Sequence, residues 1–199
     1  GKMGVALAQV CARRGAEVTM VCGSMSVTPR NPFGAIHRID ALSAQEMYEA
    51  CIAQWPRMNS AILCAAVADF TPCEKAENKI KKGELKVESR ESNVFSLSLK
   101  ETADIAKALG QSKRPDQKLI GFALETQHEI ENALHKMERK NLDAIVLNSL
   151  RDKGAGFGVD TNRVTIIRAD GNSLELPLLS KAEAANEIIR YSFLLEEAE

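Results

Sequence analysis

Three short, mostly apolar runs alternate with helix-like segments, and this alternation constrains the fold more than any other feature. They are Ala61-Ile-Leu-Cys-Ala-Ala66, Lys118-Leu-Ile-Gly-Phe-Ala123 and Ala144-Ile-Val-Leu147. Each has strand length and little polar alternation, so each reads as a strand buried on both faces. Buried strands separated by capped helices predict an open parallel sheet with helices on both faces. Met3, Leu7, Val10 and Cys11 share one helical face, and Gly15 ends that helix. Ser43 and Glu46 have the capping-box spacing, and Pro56 stops the following helix at about Trp55. Thr126 with Glu129 and Ser180 with Glu183 repeat that spacing. The first pair opens a helix with Ile130, Ala133, Leu134 and Met137 on one face; the second opens a helix containing Ile188, Ile189 and Phe193. Another helix is expected from about Thr102 to Leu109, ending at Gly110.

Further strands are expected at Glu17–Cys22 and Ala35–Asp40. Two hairpins are expected, Leu85–Glu88 with Val94–Leu99 and Arg163–Arg168 with Leu174–Leu178. Asp69 to Gly83 reads as a polar loop. The fold class that results is α/β: a three-layer, Rossmann-like, open and mainly parallel sheet with a protruding β-hairpin. The 199 residues suit one domain able to build a core without disulfides or metal. Ligands of such sheets sit at the carboxyl ends of the strands, here just after Cys22, Ala66, Ala123 and Asn148.

Composition removes several function classes. Lys and Arg number 26 against 27 Asp and Glu, a net charge of −1, which excludes a nucleic-acid coat or a polybasic membrane binder. No apolar run approaches the roughly 18–20 residues of a membrane span, and the opening apolar stretch breaks at Arg13 and Arg14, unlike a signal peptide. The five cysteines are odd in number and form no C-x-x-C pair, so a zinc ribbon, an iron–sulfur site or a disulfide framework is not expected. Cys11, Cys22, Cys51 and Cys64 are expected to be buried apolar groups and Cys73 an exposed loop thiol; free thiols suit a reducing cytoplasm. His37, His128 and His135 lack metal-ligand spacing, so no protein-held metal is expected.

Several segments carry chemistry. Gly1-Lys-Met-Gly4 lacks the Ser/Thr of a phosphate loop, and Gly154-Ala-Gly-Phe-Gly158 is followed by a strand where a dinucleotide fingerprint needs a helix. Cys64-Ala-Ala-Val-Ala-Asp69 ends a buried strand in small residues that let a ligand approach the backbone, with an acid beyond for a ribose, a base or a phosphate-bound metal; a turn aspartate is the plainer reading. In Asn78-Lys-Ile-Lys-Lys82 a loop lysine can swing over a phosphate, or the run is simply solvated. Lys136 and Lys140 lie one turn apart, opposite the apolar stripe of their helix, a placement that suits an anion between them or ordinary surface lysines. Phe122 is placed either to stack on a base or to fill the core.

CAAVADF at 64–70, NKIKK at 78–82, GFALET at 121–126, the K-x-x-x-K-N-L-D pattern at 136–143 and GFGVDTN at 156–162, with the opening GKMG and ARRGAEVT, occur here in the order of another family. Over residues 1 to about 195 the chain resembles phosphopantothenate–cysteine ligase, the synthetase half of bacterial bifunctional coenzyme A biosynthesis proteins. The resemblance implies activation of the carboxylate of 4′-phosphopantothenate by CTP with Mg²⁺, and attack of L-cysteine on the acyl-cytidylate. It implies that the backbones of Leu63, Cys64 and Ala65 line the nucleotide. Asp69 would bind it, and Lys79 would reach its phosphates from a flap and act in catalysis. Ala103, Asp104 and Ile105 match a nucleotide-contacting stretch, although the family often has Asn-Pro before that Asp where this chain has Thr102-Ala103. Phe122 would pack by the base, and Lys136 and Lys140 would grip the triphosphate.

The resemblance further implies a homodimer joined through the hairpin region, and it allows native fusion to a flavin-dependent decarboxylase domain. Family members precede GKMG with a strand and an Asn-containing loop, so these 199 residues are expected to be incomplete for catalysis alone. The alternatives are a non-catalytic nucleotide-binding module and an NAD(P)-dependent oxidoreductase. The latter should show a Tyr-x-x-x-Lys pair, and neither Tyr48 nor Tyr191 has Lys four residues on.

Overall fold

A computed structural model describes residues 1–31, 34–74, 76, 78, 96–125, 129–149 and 161–193. The chain divides into two compact units, residues 1–66 with 104–199, and residues 67–103. In the first unit helix α1 (Lys2–Arg13) is followed by strands β1 (Val18–Cys22) and β2 (Ile36–Asp40), which pair in parallel as a separate two-stranded sheet. Gly15 follows α1 at φ +87°, the left-handed geometry expected of a glycine beyond a helix end. Helix α2 (Ala44–Gln54) opens with both hydrogen bonds of the Ser43–Glu46 capping box. Pro56 then lies in a short 3₁₀ turn, Trp55–Arg57.

The main sheet contains β3 (Ser60–Leu63), β6 (Lys118–Glu125), β7 (Ala144–Ser149), β9 (Val164–Arg168) and β10 (Ser173–Glu175). Its order is β10-β9-β7-β6-β3; β3, β6 and β7 run parallel, and β9 and β10 are antiparallel. The parallel strands are joined through α3 (Ile105–Gln111) and α4 (Glu129–Arg139). Short β8 (Thr161–Asn162) pairs with β11 (Leu179–Ser180), and α5 (Lys181–Ser192) closes the described chain on a second complete capping box.

Side chains alternate across a strand, so β6 and β7 serve two cores. Ile120, Ala144 and Val146 face one cluster with Leu7 and Val10 of α1 and Ile188 and Ile189 of α5. On the other face Gly121 meets Leu142: a Cβ there would lie 2.7 Å from the Leu142 Cδ1. The amino end of β6 is braced by Asp143, whose carboxylate accepts from the Leu119 amide and the Lys113 ammonium, each at 2.8 Å. The buried Gln117 amide donates to the carbonyls of Trp55 and Met58.

In the second unit β4 (Phe70–Pro72) pairs antiparallel with β5 (Leu99–Glu101). Part of the expected polar loop after Asp69 is therefore a strand. The hairpin partner expected at Leu85–Glu88 lies outside the described residues, as do Thr126, His128 and the Gly154–Gly158 segment.

Several expectations need correction. The strand at Ala61–Ala66 stops at Leu63 and is half-buried, because it pairs only with β6 among the described residues. The helix expected from Thr102 starts at Ile105, because the Thr102 amide and hydroxyl are committed to the carbonyls of Asp69 and Ala68 while the Asp104 carboxylate caps the Lys107 amide. Gly110 lies inside that helix and does not end it. Of the four cysteines expected to be buried, only Cys22 is fully so; Cys11, Cys51 and Cys64 are partly exposed, and Cys73 is exposed. On α4 only Ala133 and Met137 are buried; Ile130 and Leu134 are exposed because the helix touches the sheet along a narrower line than the stripe predicts.

Candidate active site

The carboxyl end of β3 lies beside β6, with Leu63 opposite Gly121 in register. Beyond Leu63 the chain leaves the strand through Cys64 and the exposed Ala65 and Ala66. Small side chains there leave the backbone open to a flat ligand. Phe122, the residue after Gly121, packs half-buried against the cluster of α1 and α5, together with Cys64. Gly4 makes room for Cys64, since a Cβ on it would lie 3.2 Å from the thiol sulfur. Packing against that cluster pushes the Cys64 thiol upward, which disfavours the reactive thiolate.

The cations come from the next helix. Cα–Cβ bonds tilt toward a helix N-terminus, so long side chains near the end of α4 reach back toward the carboxyl edge of the sheet. The Lys136 ammonium donates to the Phe122 carbonyl at 3.3 Å. The Lys140 ammonium lies 2.9 Å from the Asp104 carboxylate, with the lysine side chain only 13% exposed. These two lysines therefore do not stand opposite the buried stripe as expected; both flank the sheet-facing side and hold protein acceptors.

Leu63, Cys64, Phe122 and Lys136 are thus gathered at one strand end, and Asp104, Ile105 and Lys140 at the start of α3. Ala65 follows on the open connection. Ile105 itself is buried in the core. Asp69 and Ala103 belong to the second unit, where the Thr102 amide donates to the Asp69 carbonyl at 2.9 Å. Lys79 lies outside the described residues.

The structure adds two features that sequence reasoning missed. The side-chain oxygen of Asn148, at the carboxyl end of β7, is buried without a hydrogen-bond partner among the described residues, a costly state for an acceptor unless a donor arrives. Gly110 and Gly121 permit close backbone approaches to the Lys140 and Leu142 region. An isolated glycine inside an otherwise periodic segment is the signal that marks such positions.

Burial pushes the Asp104 carboxyl upward, but the Lys107 amide and the Lys140 ammonium outweigh it and hold it below the usual carboxylate range. A lowered folded-state value stabilises the fold above the ordinary carboxylate range, and that contribution is lost as pH falls through the lower value. Asp104→Asn keeps a side-chain acceptor for the helix cap and removes only the charge. Its melting temperature is expected to fall below that of the parent protein at neutral pH, and the two should converge in acid. An equal difference at both pH values would show that the pair contributes nothing to the acid dependence.

The family model described as "DNA/pantothenate metabolism flavoprotein C-terminal domain" matches residues 1–193. Cysteine/cysteine sulfinic acid decarboxylase from an unknown prokaryotic organism is 48% identical over 190 residues, 96% of this chain and 50% of that protein. Coenzyme A biosynthesis bifunctional protein CoaBC of Bacillus subtilis (strain 168) is 42% identical over 190 residues, 96% of this chain and 44% of that protein. The chain thus spans about half the length of the curated relatives it matches. Among solved structures, the C-terminal domain of Coenzyme A biosynthesis bifunctional protein CoaBC superposes with a TM-score of 0.76 at 37% identity, covering 100% of this chain and 84% of that one.

Proposed function

The chain belongs to the family of the DNA/pantothenate metabolism flavoprotein C-terminal domain, and on that premise we propose that it is the synthetase part of a phosphopantothenate–cysteine ligase in coenzyme A biosynthesis. In the proposed reaction a carboxylate oxygen of 4′-phosphopantothenate attacks the α-phosphorus of CTP and pyrophosphate leaves. The amine of L-cysteine then attacks the acyl carbon, loses a proton, and expels CMP. The observation that carries this reading is Lys136 of α4, whose ammonium lies 3.3 Å from the Phe122 carbonyl at the open strand end. Fixed cations stabilise the charge that develops on a departing pyrophosphate.

Lys136 and Lys140 are the proposed triphosphate ligands, and the backbones of Leu63, Cys64 and Ala65 with Phe122 form the proposed nucleotide wall. Asp69 and Lys79 complete the set by family resemblance, Lys79 as the catalytic cation, with Ala103, Asp104 and Ile105 along the nucleotide. Mg²⁺ would neutralise phosphate charge. Among the described residues no three His, Cys, Asp or Glu side chains cluster.

A homodimer is supported by three exposed apolar residues of the second unit, Phe70 at 57%, Leu97 at 58% and Leu99 at 52%. Native fusion to a flavin-dependent decarboxylase is supported by the greater length of the relatives. No helix among the described residues is long and apolar enough to cross a membrane. A cytoplasmic setting is supported by the free cysteines.

The decarboxylase name of one relative supports a second reading, for which this chain covers half of the protein named. One assay separates the two. The full-length protein that contains this chain is incubated with 4′-phosphopantothenate, L-cysteine, Mg²⁺ and either CTP or ATP. The ligase reading expects pyrophosphate and the nucleoside monophosphate in equal amounts, dependent on both other substrates. Carbon dioxide released from cysteine without nucleotide, and no pyrophosphate, would overturn it.

A further inference from the structure

Helix α3 touches Lys140 at both of its ends. At its start Asp104 pairs with the Lys140 ammonium. Near its end the buried Gly110 lies so close to α4 that a Cβ on it would stand 1.9 Å from the Lys140 carbonyl oxygen and 2.8 Å from its carbonyl carbon. No side chain can occupy that space, and the obstacle is backbone, which cannot swing aside. Asn141, immediately after Lys140, has φ +51°. Its left-handed conformation is the ordinary way to end α4, with the Leu142 amide returning to the Met137 carbonyl at 2.9 Å.

Helix termination does not account for its side chain, whose amide donates to the Gly110 carbonyl at 2.9 Å. Nor does it account for Lys113, whose ammonium donates to the Asn141 carbonyl at 2.8 Å. The turn that carries Lys140 is thus pinned to the end of α3 by a close backbone approach and two hydrogen bonds.

We propose that Gly110 and Asn141 are positioning residues that set Lys140 for the phosphates of the nucleotide, through the latch between the end of α3 and the end of α4. The lysine side chain then runs back along α3, so a shift of its backbone moves the ammonium relative to the strand end. The proposal rests on the reading of Lys140 as a phosphate ligand and names what fixes it.

Binding of CTP with Mg²⁺ to the full-length protein, measured by calorimetry, tests it through a double-mutant cycle. Lys140→Gln is expected to weaken CTP roughly tenfold or more, as loss of a charge-assisted contact does. Gly110→Ala is expected to weaken CTP several-fold in the parent protein and to have little further effect when Lys140 is already glutamine. Asn141→Gly keeps the left-handed backbone and removes only the side-chain donor. It is expected to show the same dependence on Lys140, and it decides the matter if Gly110→Ala does not fold. A steady-state readout runs alongside: KM for the nucleotide should rise while KM for cysteine stays unchanged.

Equal losses in both Lys140 backgrounds would mean that the latch serves general stability, and would overturn the proposal. If Lys140→Gln leaves CTP affinity unchanged, Lys140 is not a phosphate ligand, and the proposal falls with that part of the functional reading. Retained pyrophosphate release in that variant would show that the ligase assignment itself survives.

Discussion

Lys136→Gln is expected to lower kcat/KM for the nucleotide on the order of 10²-fold, the usual effect of removing one preorganised donor from developing charge. Lys136 is chosen because its ammonium already lies at the sheet, 3.3 Å from the Phe122 carbonyl. A phosphate arriving at this strand end would meet a cation whose position is partly fixed before binding. Such a cation needs little reorganisation when charge develops, whereas a freely solvated lysine must first be ordered. Glutamine retains a donor for the carbonyl and loses the charge, so melting temperature should change little while pyrophosphate release slows. A rate within threefold of the parent would show that Lys136 serves the fold alone.

Ile120→Ala is expected to destabilise the protein by about 2–5 kcal/mol, the cost of a large-to-small change in a packed core. Ile120 is fully buried in the cluster that joins β6 to α1 and α5. The helices on either side are tied to the same sheet face, so the site cannot collapse fully around the missing atoms. For a chain of this size the change should lower the melting temperature by roughly 5–15 °C. Phe122 lies two residues along the same face and belongs to the same cluster, so the effect on nucleotide binding should be smaller and should recover at low temperature. A loss below about 1 kcal/mol would mean that α1 or α5 rearranges into the space.

Much of the scaffold was legible because its signals are local. The Ser43–Glu46 and Ser180–Glu183 boxes depend only on residues three apart, and both formed as spacing required. The runs around Ile120 and Ile145 became central strands because continuous apolarity has few other outlets. Where local signals competed with distant partners, the reading failed. Thr102 looked fit to begin a helix, but the carbonyls of Ala68 and Asp69 claimed its donors. Ile130 and Leu134 looked like core, but the sheet beneath α4 reaches only Ala133 and Met137.

The candidate site divides in the same way. Sequence alone determined which residue types are available: small residues after a strand, lysines one turn apart on a helix, and a phenylalanine at the next strand end. Tertiary structure decided which of them meet. The partnership of Lys140 with Asp104 spans 36 positions, and that of Asn141 with Gly110 spans 31. Neither has a periodic signature, because contacts between separate helices are set by how closely their backbones approach across the sheet. Only there does the missing side chain of Gly110 acquire a meaning, as the space that the Lys140 carbonyl occupies.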